Sequence, residues 1–290
     1  EENREENLKL MGYSKEIAAY IALKRLGYDV GLAGGGPVIE SLCLEFEDES
    51  DPSSACVRPA PADDVLNPGD AIVAVDGEPE VLTAAREHLD RVAPAVRTAC
   101  ADLTADSVHL ATAVGGRPDL IWAASVVHHA PDQQATIDAL AGLLSTRGRL
   151  ALAEAGLASR HLPWDLGVGA PGLELRLEAA QDRWFTAMRA SLPGSVPMPY
   201  GWTRALAHAG LVGVTTRTLL IERPAPLSVD DRGRVVDKLA HRVDHLRDKG
   251  LLDPSDLVVW DLLLDPDGPD WLGRRDDLFV LDARSVHTGE

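Results

Sequence analysis

Cysteine is scarce in this chain: Cys43, Cys56 and Cys100 are the only three among 290 residues, with no CxxC pair and no histidines at zinc spacing. That excludes a disulfide framework or a structural zinc site as the organising feature, and reduced thiols fit a cytoplasmic setting. Long apolar runs are missing too. No stretch approaches the roughly 20 residues of a membrane helix, and the first residues, Glu1-Glu-Asn-Arg-Glu-Glu6, are acidic where an export signal is basic. Basic charge is in short supply, with 28 Lys and Arg against 46 Asp and Glu, a net charge of −18. Such a surface repels phosphate backbones and anionic lipid, and no basic cluster offsets it, so neither nucleic acid nor a membrane surface is an expected partner. What remains is an ordinary globular composition, 45% apolar and 26% charged, in a length that suits one large domain or two modest ones.

The pattern changes near residue 66, which divides the chain into an N-terminal part, 1–65, and a main domain, 66–290. In the first part, Leu10, Ile17, Ile21 and Leu26 with intervening alanines predict one or two short amphipathic helices ending at Gly27. The stretch Gly31-Leu-Ala-Gly-Gly-Gly-Pro37 then breaks regular structure, and the acidic, proline-bearing residues 45–64 read as an exposed linker. In the second part, Ala71–Val75, Val96–Cys100, Asp119–Ala124 and Arg149–Ala153 read as short buried strands. Helices are predicted over Pro79–Val92 and from an Asp132 cap to Leu144. Strands and helices alternating in this way predict an α/β fold, a Rossmann-like doubly wound and mostly parallel sheet with helices on both faces. Further helices over Leu173–Ala190, Trp202–Ala209, Val229–Leu246 and Ser255–Leu264 are interleaved with strands over Gly213–Glu222 and Leu278–Val286.

In open α/β sheets ligands bind beyond the carboxyl ends of the strands, which singles out Asp76, Asp102, Ser125 to His129 and Glu154. Asp76 is placed to accept both hydroxyls of a ribose, and equally to act as an acid at the N-terminus of the following helix. His128 and His129 carry imidazoles that titrate near neutral pH, as a general base requires; one packing and one capping the next helix is the alternative. Glu154 has the same standing. No set of residues reads as a metal site.

The ordered set Ile72-Val-Ala-Val-Asp-Gly-Glu-Pro-Glu-Val-Leu82, Ala101-Asp-Leu103, Pro118-Asp-Leu-Ile-Trp-Ala-Ala-Ser-Val-Val-His-His129 and Leu143-Leu-Ser-Thr-Arg-Gly-Arg-Leu-Ala-Leu-Ala-Glu154 closely resembles the class I S-adenosylmethionine-dependent methyltransferases. The resemblance covers about residues 66–223 and, more loosely, the remainder, which is similar to small-molecule members. It implies S-adenosyl-L-methionine as cofactor, with Asp76 on its ribose, Gly77 allowing close backbone approach, Asp102 and the Leu103 backbone at the adenine, and Ala124 and Ser125 bordering the methionine portion. His128, His129 and Glu154 would stand at the mouth of the site as candidate catalytic groups. One departure matters. Family members carry a glycine-rich turn about 20 residues before the ribose acid, where only glycine permits the required closeness. Here that position falls in the glycine-free Ser50–Pro59, and the nearest substitute is Gly34, Gly35 and Gly36, some forty residues before Asp76.

The resemblance therefore implies methyl transfer to a small-molecule acceptor, in the cytoplasm, with a homodimer an open option. A catalytically inactive relative that binds or regulates is the alternative, carried by the missing turn. A nicotinamide-dependent oxidoreductase is weaker, since no Gly-x-Gly-x-x-Gly turn precedes Ala71. Trp164, Trp184, Tyr200 and Trp202 are read either as an aromatic wall for the acceptor or as ordinary core. Leu10-Met-Gly-Tyr13, with Ala22-Leu23 and Gly27-Tyr-Asp-Val30, is faintly similar to a ubiquitin-associated module, against the reading of an added helix covering the sheet.

Overall fold

The structure, a computed structural model, describes residues 29–33, 36–41, 43–46, 56–59, 73–92, 97–104 and 107–290. The helices expected between Leu10 and Leu26, and Gly34 and Gly35, lie outside the described residues. The first four strands form two separate antiparallel pairs: β1 (Asp29–Ala33) with β2 (Gly36–Ser41), and β3 (Cys43–Phe46) with β4 (Cys56–Pro59). Two expectations are corrected by them. The described part of the glycine stretch is strand: Gly31 stands opposite Val38, Leu32 opposite Pro37 and Ala33 opposite Gly36 in an antiparallel ladder. The segment 45–64 is not all loop, since Glu45 pairs with Arg58 and Phe46 with Cys56. Apolar and β-branched residues such as Val30, Leu32, Val38 and Ile39 outweigh the glycines between them, and proline is tolerated in two-stranded pairs, where every strand is an edge.

Strand and helix then alternate as the periodicity requires. β5 (Val73–Asp76), α1 (Pro79–Val92) and β6 (Arg97–Cys100) make a βαβ unit with parallel register, Val73 opposite Arg97 and Asp76 opposite Cys100. α2 (Ser107–Val114) comes after it, with Leu110, Ala111 and Val114 turned to one core while Val108 faces solvent. Next come β7 (Leu120–Ala124), a 3₁₀ turn (Val127–His129), α3 (Gln133–Leu143) and the long β8 (Arg149–Arg160). The Asp132 side chain accepts from Ala135 N at 2.9 Å, which caps α3 as expected.

The C-terminal half inserts α4 (Leu173–Ser191) and α5 (Trp202–His208) before β9 (Thr215–Arg223), and α6 (Val229–Asp248) and α7 (Pro254–Leu264) before β10 (Val280–Gly289). The four strands order as β7-β8-β10-β9. β7 and β8 are parallel, and β10 is antiparallel to both neighbours, so β7, β8 and β9 run one way and β10 alone opposes them. The result is a Rossmann-like α/β fold with a mixed, mostly parallel sheet. Seven α-helices stand among the described residues, none of them long and apolar enough to cross a membrane.

Two cores hold the layers. Leu150, Leu152 and Ala123 of the sheet pack with Leu110 of α2, Ile137 and Leu140 of α3, and Leu206 of α5. The second core joins Leu173 and Leu177 of α4, Leu239, Val243 and Leu246 of α6, and Trp260 and Leu263 of α7. No aromatic wall is assembled from the four candidate rings. Tyr200 and Trp202 pack on the first core and Trp184 on the second, while Trp164 is largely exposed and covers Gly172, whose left-handed φ of 79° and lack of Cβ let the ring approach.

Candidate functional site

The tips of β5 and β6 adjoin. Ala101 N donates to Asp76 O at 3.1 Å, and a Cβ built on Gly77 would meet Ala101 O at 3.7 Å. That is ordinary contact, so the neighbouring strand does not itself demand glycine at 77. The half-buried Asp76 accepts from Glu78 N through Oδ1 at 3.0 Å, just ahead of Pro79. The helix-entry role weighed from sequence is thus present at this carboxylate. Asp102 is exposed, and its Oδ1 accepts from both Thr104 N and Thr104 Oγ1 at 2.8 Å. Leu103 turns its side chain onto the first core. Gly36 opens β2, which among the described residues pairs with β1.

The tip of β7 is more unusual. Ser125 has φ of 51°, the one positive value at a non-glycine among the described residues. A serine there costs of order 1–3 kcal/mol and persists only where its surroundings impose it. Ser125 N continues the ladder to Ala153 O at 2.9 Å, and after it the chain turns sharply into the fully buried Val127. The strained residue next to half-buried Ala124 therefore aims the two histidines beyond it.

The first of those histidines meets Glu154. His128 Nδ1 lies 2.6 Å from Glu154 Oε2, with the His128 side chain 26% exposed and that of Glu154 3% exposed. The rings of His128 and His129 have centroids 4.1 Å apart, and Phe185 of α4 stands 5.6 Å from His128. Arg189, one helical turn beyond Phe185, donates to the carbonyls of His128 at 2.6 Å and Ala130 at 2.8 Å, while Gln133 Nε2 donates to His128 O at 3.3 Å. A carboxylate that accepts from Nδ1–H leaves Nε2 with its lone pair, so the pair presents an oriented imidazole base. The three residues singled out as candidate catalytic groups, His128, His129 and Glu154, are thus brought together, and Arg189 and Phe185 join them unforeseen. Their signal was the i, i+4 spacing on α4, which places both on one helix face.

A second histidine and glutamate pair lies apart from this one. Buried His161 reaches Glu174 Oε1 through Nδ1 at 2.7 Å, and the His161 and Leu162 backbone N–H groups both donate to Oε2 at 3.0 Å. Burial alone would push the Glu174 carboxyl up, and these bonds outweigh it, holding it below the usual carboxylate value. Lys238 Nζ stands 3.4 Å from both His161 Nε2 and Ser159 Oγ, and burial pushes its ammonium down. Among the described residues, no group of three or more His, Cys, Asp and Glu is arranged to hold a metal ion.

Residues 58–150 match a family model described as a methyltransferase domain. This stretch is similar to methyltransferase domains. The resemblance to class I S-adenosylmethionine-dependent methyltransferases holds over it. The matched stretch begins within β4 and ends as β8 starts, so it includes Asp76, Asp102, Ser125, His128 and His129, with Glu154 just beyond its end. No curated protein matches the sequence. Among solved structures, a candidate methyltransferase from Bacillus halodurans C-125 is similar at 13% identity, over 76% of this chain and 82% of that one, with a TM-score of 0.39. The YcgJ protein of Bacillus subtilis is similar at 13% identity over 76% and 82%, with a TM-score of 0.37. A precorrin-6y C5,15-methyltransferase from Geobacter metallireducens GS-15 is similar at 11% identity over 77% and 68%, with a TM-score of 0.36. At these values they assign no activity.

Proposed function

We propose that the chain transfers the methyl group of S-adenosyl-L-methionine to a small-molecule acceptor, with His128 as general base. One observation carries the reading: within and beside the methyltransferase domain, His128 and Glu154 form a 2.6 Å pair beyond the tip of β7. The residues present fit the cofactor at its nucleoside end. Asp76 and Asp102 put two carboxylates on adjoining strand tips, the donor-seeking chemistry that a ribose diol and an adenine amino group require. In this reading Asp76 holds the ribose beside Gly77, Asp102 and the Leu103 backbone hold the adenine, and Ala124 and Ser125 border the methionine portion. At the amino-acid end the fit is incomplete. In this reading Gly34, Gly35 and Gly36 are the remaining candidates for that end, and among the described residues Gly36 lies in β2, which pairs with β1.

When bound, the cofactor supplies a methyl group already activated on a sulfonium, so the protein's share is alignment, water exclusion and removal of one proton. His128 Nε2 takes that proton from the acceptor's hydroxyl, amine or carbon acid. Glu154 balances the imidazolium that results, and Arg189 and Gln133 hold the His128 carbonyl so that the ring keeps its place. His129 and Phe185 stack beside it. The expected acceptor is a small neutral or cationic molecule, given the acidic surface, and neither nucleic acid nor membrane is an expected partner.

The test is His128→Gln. Methyl transfer from labelled S-adenosylmethionine to a panel of small acceptors should fall by about 10²–10⁴-fold, the range for loss of a general base, with cofactor binding kept. Undiminished turnover in the variant would remove His128 from the reaction.

A further inference from the structure

The second histidine and glutamate pair holds a lysine that methyl transfer does not use. The chain carries five lysines, Lys9, Lys15, Lys24, Lys238 and Lys249, against 23 arginines, so a cation here is nearly always a guanidinium. A guanidinium keeps its proton, whereas an amine in a desolvated site can give its proton up and become a nucleophile. Lys238 of α6 stands in such a site. His161 and Glu174 beside it are 1% and 5% exposed, while Lys238 and Ser159 are only half-buried, which leaves the amine within reach of a small molecule.

Each neighbour has a defined share. Glu174 spends Oε2 on the His161 and Leu162 N–H groups and Oε1 on His161 Nδ1, which leaves the His161 lone pair on Nε2. That lone pair and the Ser159 hydroxyl each stand 3.4 Å from Lys238 Nζ, long contacts that do not tie the amine down. Burial pushes the ammonium toward the neutral amine, and the charges of Arg242 on α6 and Arg284 on β10 push the same way, against Asp282 on β10 and Glu174 on α4. Arg242 is paired with Glu178. Arg284 reaches Asp282 through Nη2 at 3.3 Å, but its Nε is buried without a hydrogen-bond partner among the described residues, a donor that an incoming acceptor would satisfy.

We propose that Lys238 reversibly captures a small 2-oxo acid as an imine, with Arg284 Nε receiving the carboxylate of the acid and His161 carrying the proton. His161 Nε2 takes a proton from the Lys238 ammonium, and Glu174 balances the imidazolium so formed. The Nζ lone pair attacks the carbonyl carbon and the C=O π pair moves onto oxygen, which the Ser159 hydroxyl holds while it takes one proton from the nitrogen. That oxygen leaves as water with the proton returned by His161, and a protonated imine joins Nζ to the carbon. An ammonium and a carbonyl thus become a protonated imine and water, with no oxidant or reductant consumed. The amine requires the carbonyl and the guanidinium edge requires the adjacent carboxylate, which together select a 2-oxo acid over a simple ketone or a plain carboxylic acid.

The experiment treats the full chain with pyruvate and borohydride, which reduces an imine to a stable amine, and maps the lysine peptides by mass spectrometry with no S-adenosylmethionine added. The expected result is an adduct on Lys238 at a pyruvate concentration that leaves the exposed Lys249 unlabelled. Acetone, a ketone without the carboxylate, should label Lys238 about tenfold less, the worth of one hydrogen bond to a charged group. Labelling should rise with pH and level off below 10.5. Lys238→Arg keeps the charge and should abolish the adduct, and Arg284→Gln should bring the two ketones close together. Where a variant does not fold, the wild-type peptide map and the ratio of pyruvate to acetone labelling decide the matter. Absence of an adduct, an adduct shared equally with Lys249, or equal labelling by both ketones would overturn the proposal. No step uses the methyl donor, so an adduct in a chain that binds no S-adenosylmethionine would support this site and sink the methyl-transfer reading alone.

Discussion

At the scale of single residues, Lys238 shows how the second polar cluster differs from the first. Its ammonium stands within hydrogen-bond range of His161 and Ser159, and burial holds its pKa below the unfolded value of 10.5. Between the folded and unfolded values the unfolded chain binds the extra proton, so this residue makes stability rise with pH across that window and level off above about 10.5. Glu174 has the opposite sign of charge and a depressed pKa, so its contribution is present above about 4.5 and lost as pH falls through its folded value. Lys238→Met should remove the alkaline slope and raise the midpoint of urea unfolding at neutral pH. An unaltered slope in the variant would mean that Lys238 is better solvated than its surroundings imply. His128 and Glu154 are a different case, because their bond leaves one ring nitrogen and one carboxylate oxygen to do something else.

At the scale of elements, the caps and turns set where the site residues stand. α3 is capped by Asp132, four residues after His128, and this cap closes the turn that Arg189 holds from α4. Asp132→Ala should cost about 1 kcal/mol in urea unfolding, the usual loss for an N-cap. A change near zero would show that Arg189 and Gln133 alone fix the turn. These elements were legible in the sequence to very different degrees. β5, α1, β6, β7, α3 and the six elements from α4 to β10 fall near their expected places, because each carries a strong period or a clear cap. α2 was not foreseen, since it is short and the exposed Val108 obscures the one face on which Leu110, Ala111 and Val114 meet the first core. β8 runs seven residues past its expected end at Ala153, to Arg160, because Ala155, Gly156 and Ala158 give no alternation to read. The pairs β1–β2 and β3–β4 were hidden by glycine, proline and acid in the strands themselves.

At the scale of the whole molecule, the sheet order β7-β8-β10-β9 brings residues far apart in sequence into one row. Glu154, Ser285, His287, Thr216 and Thr218 owe their proximity to β10 entering between β8 and β9, which no local pattern reveals. The meeting of His128 with Glu154 was half legible: both follow from the rule that parallel strands end at the site, while their contact needed the register of β7 against β8. The glycine turn remains the element in which this chain departs most from the family it resembles. Gly34 and Gly35 lie outside the described residues, so this part of the sequence reading stands as an expectation. Calorimetry of the intact chain with S-adenosylmethionine tests the central claim most directly. Saturable binding at a single site, lost or weakened at least tenfold in Asp76→Ala, is the predicted result. No binding by the wild-type chain, or equal binding by the variant, would contradict the assignment.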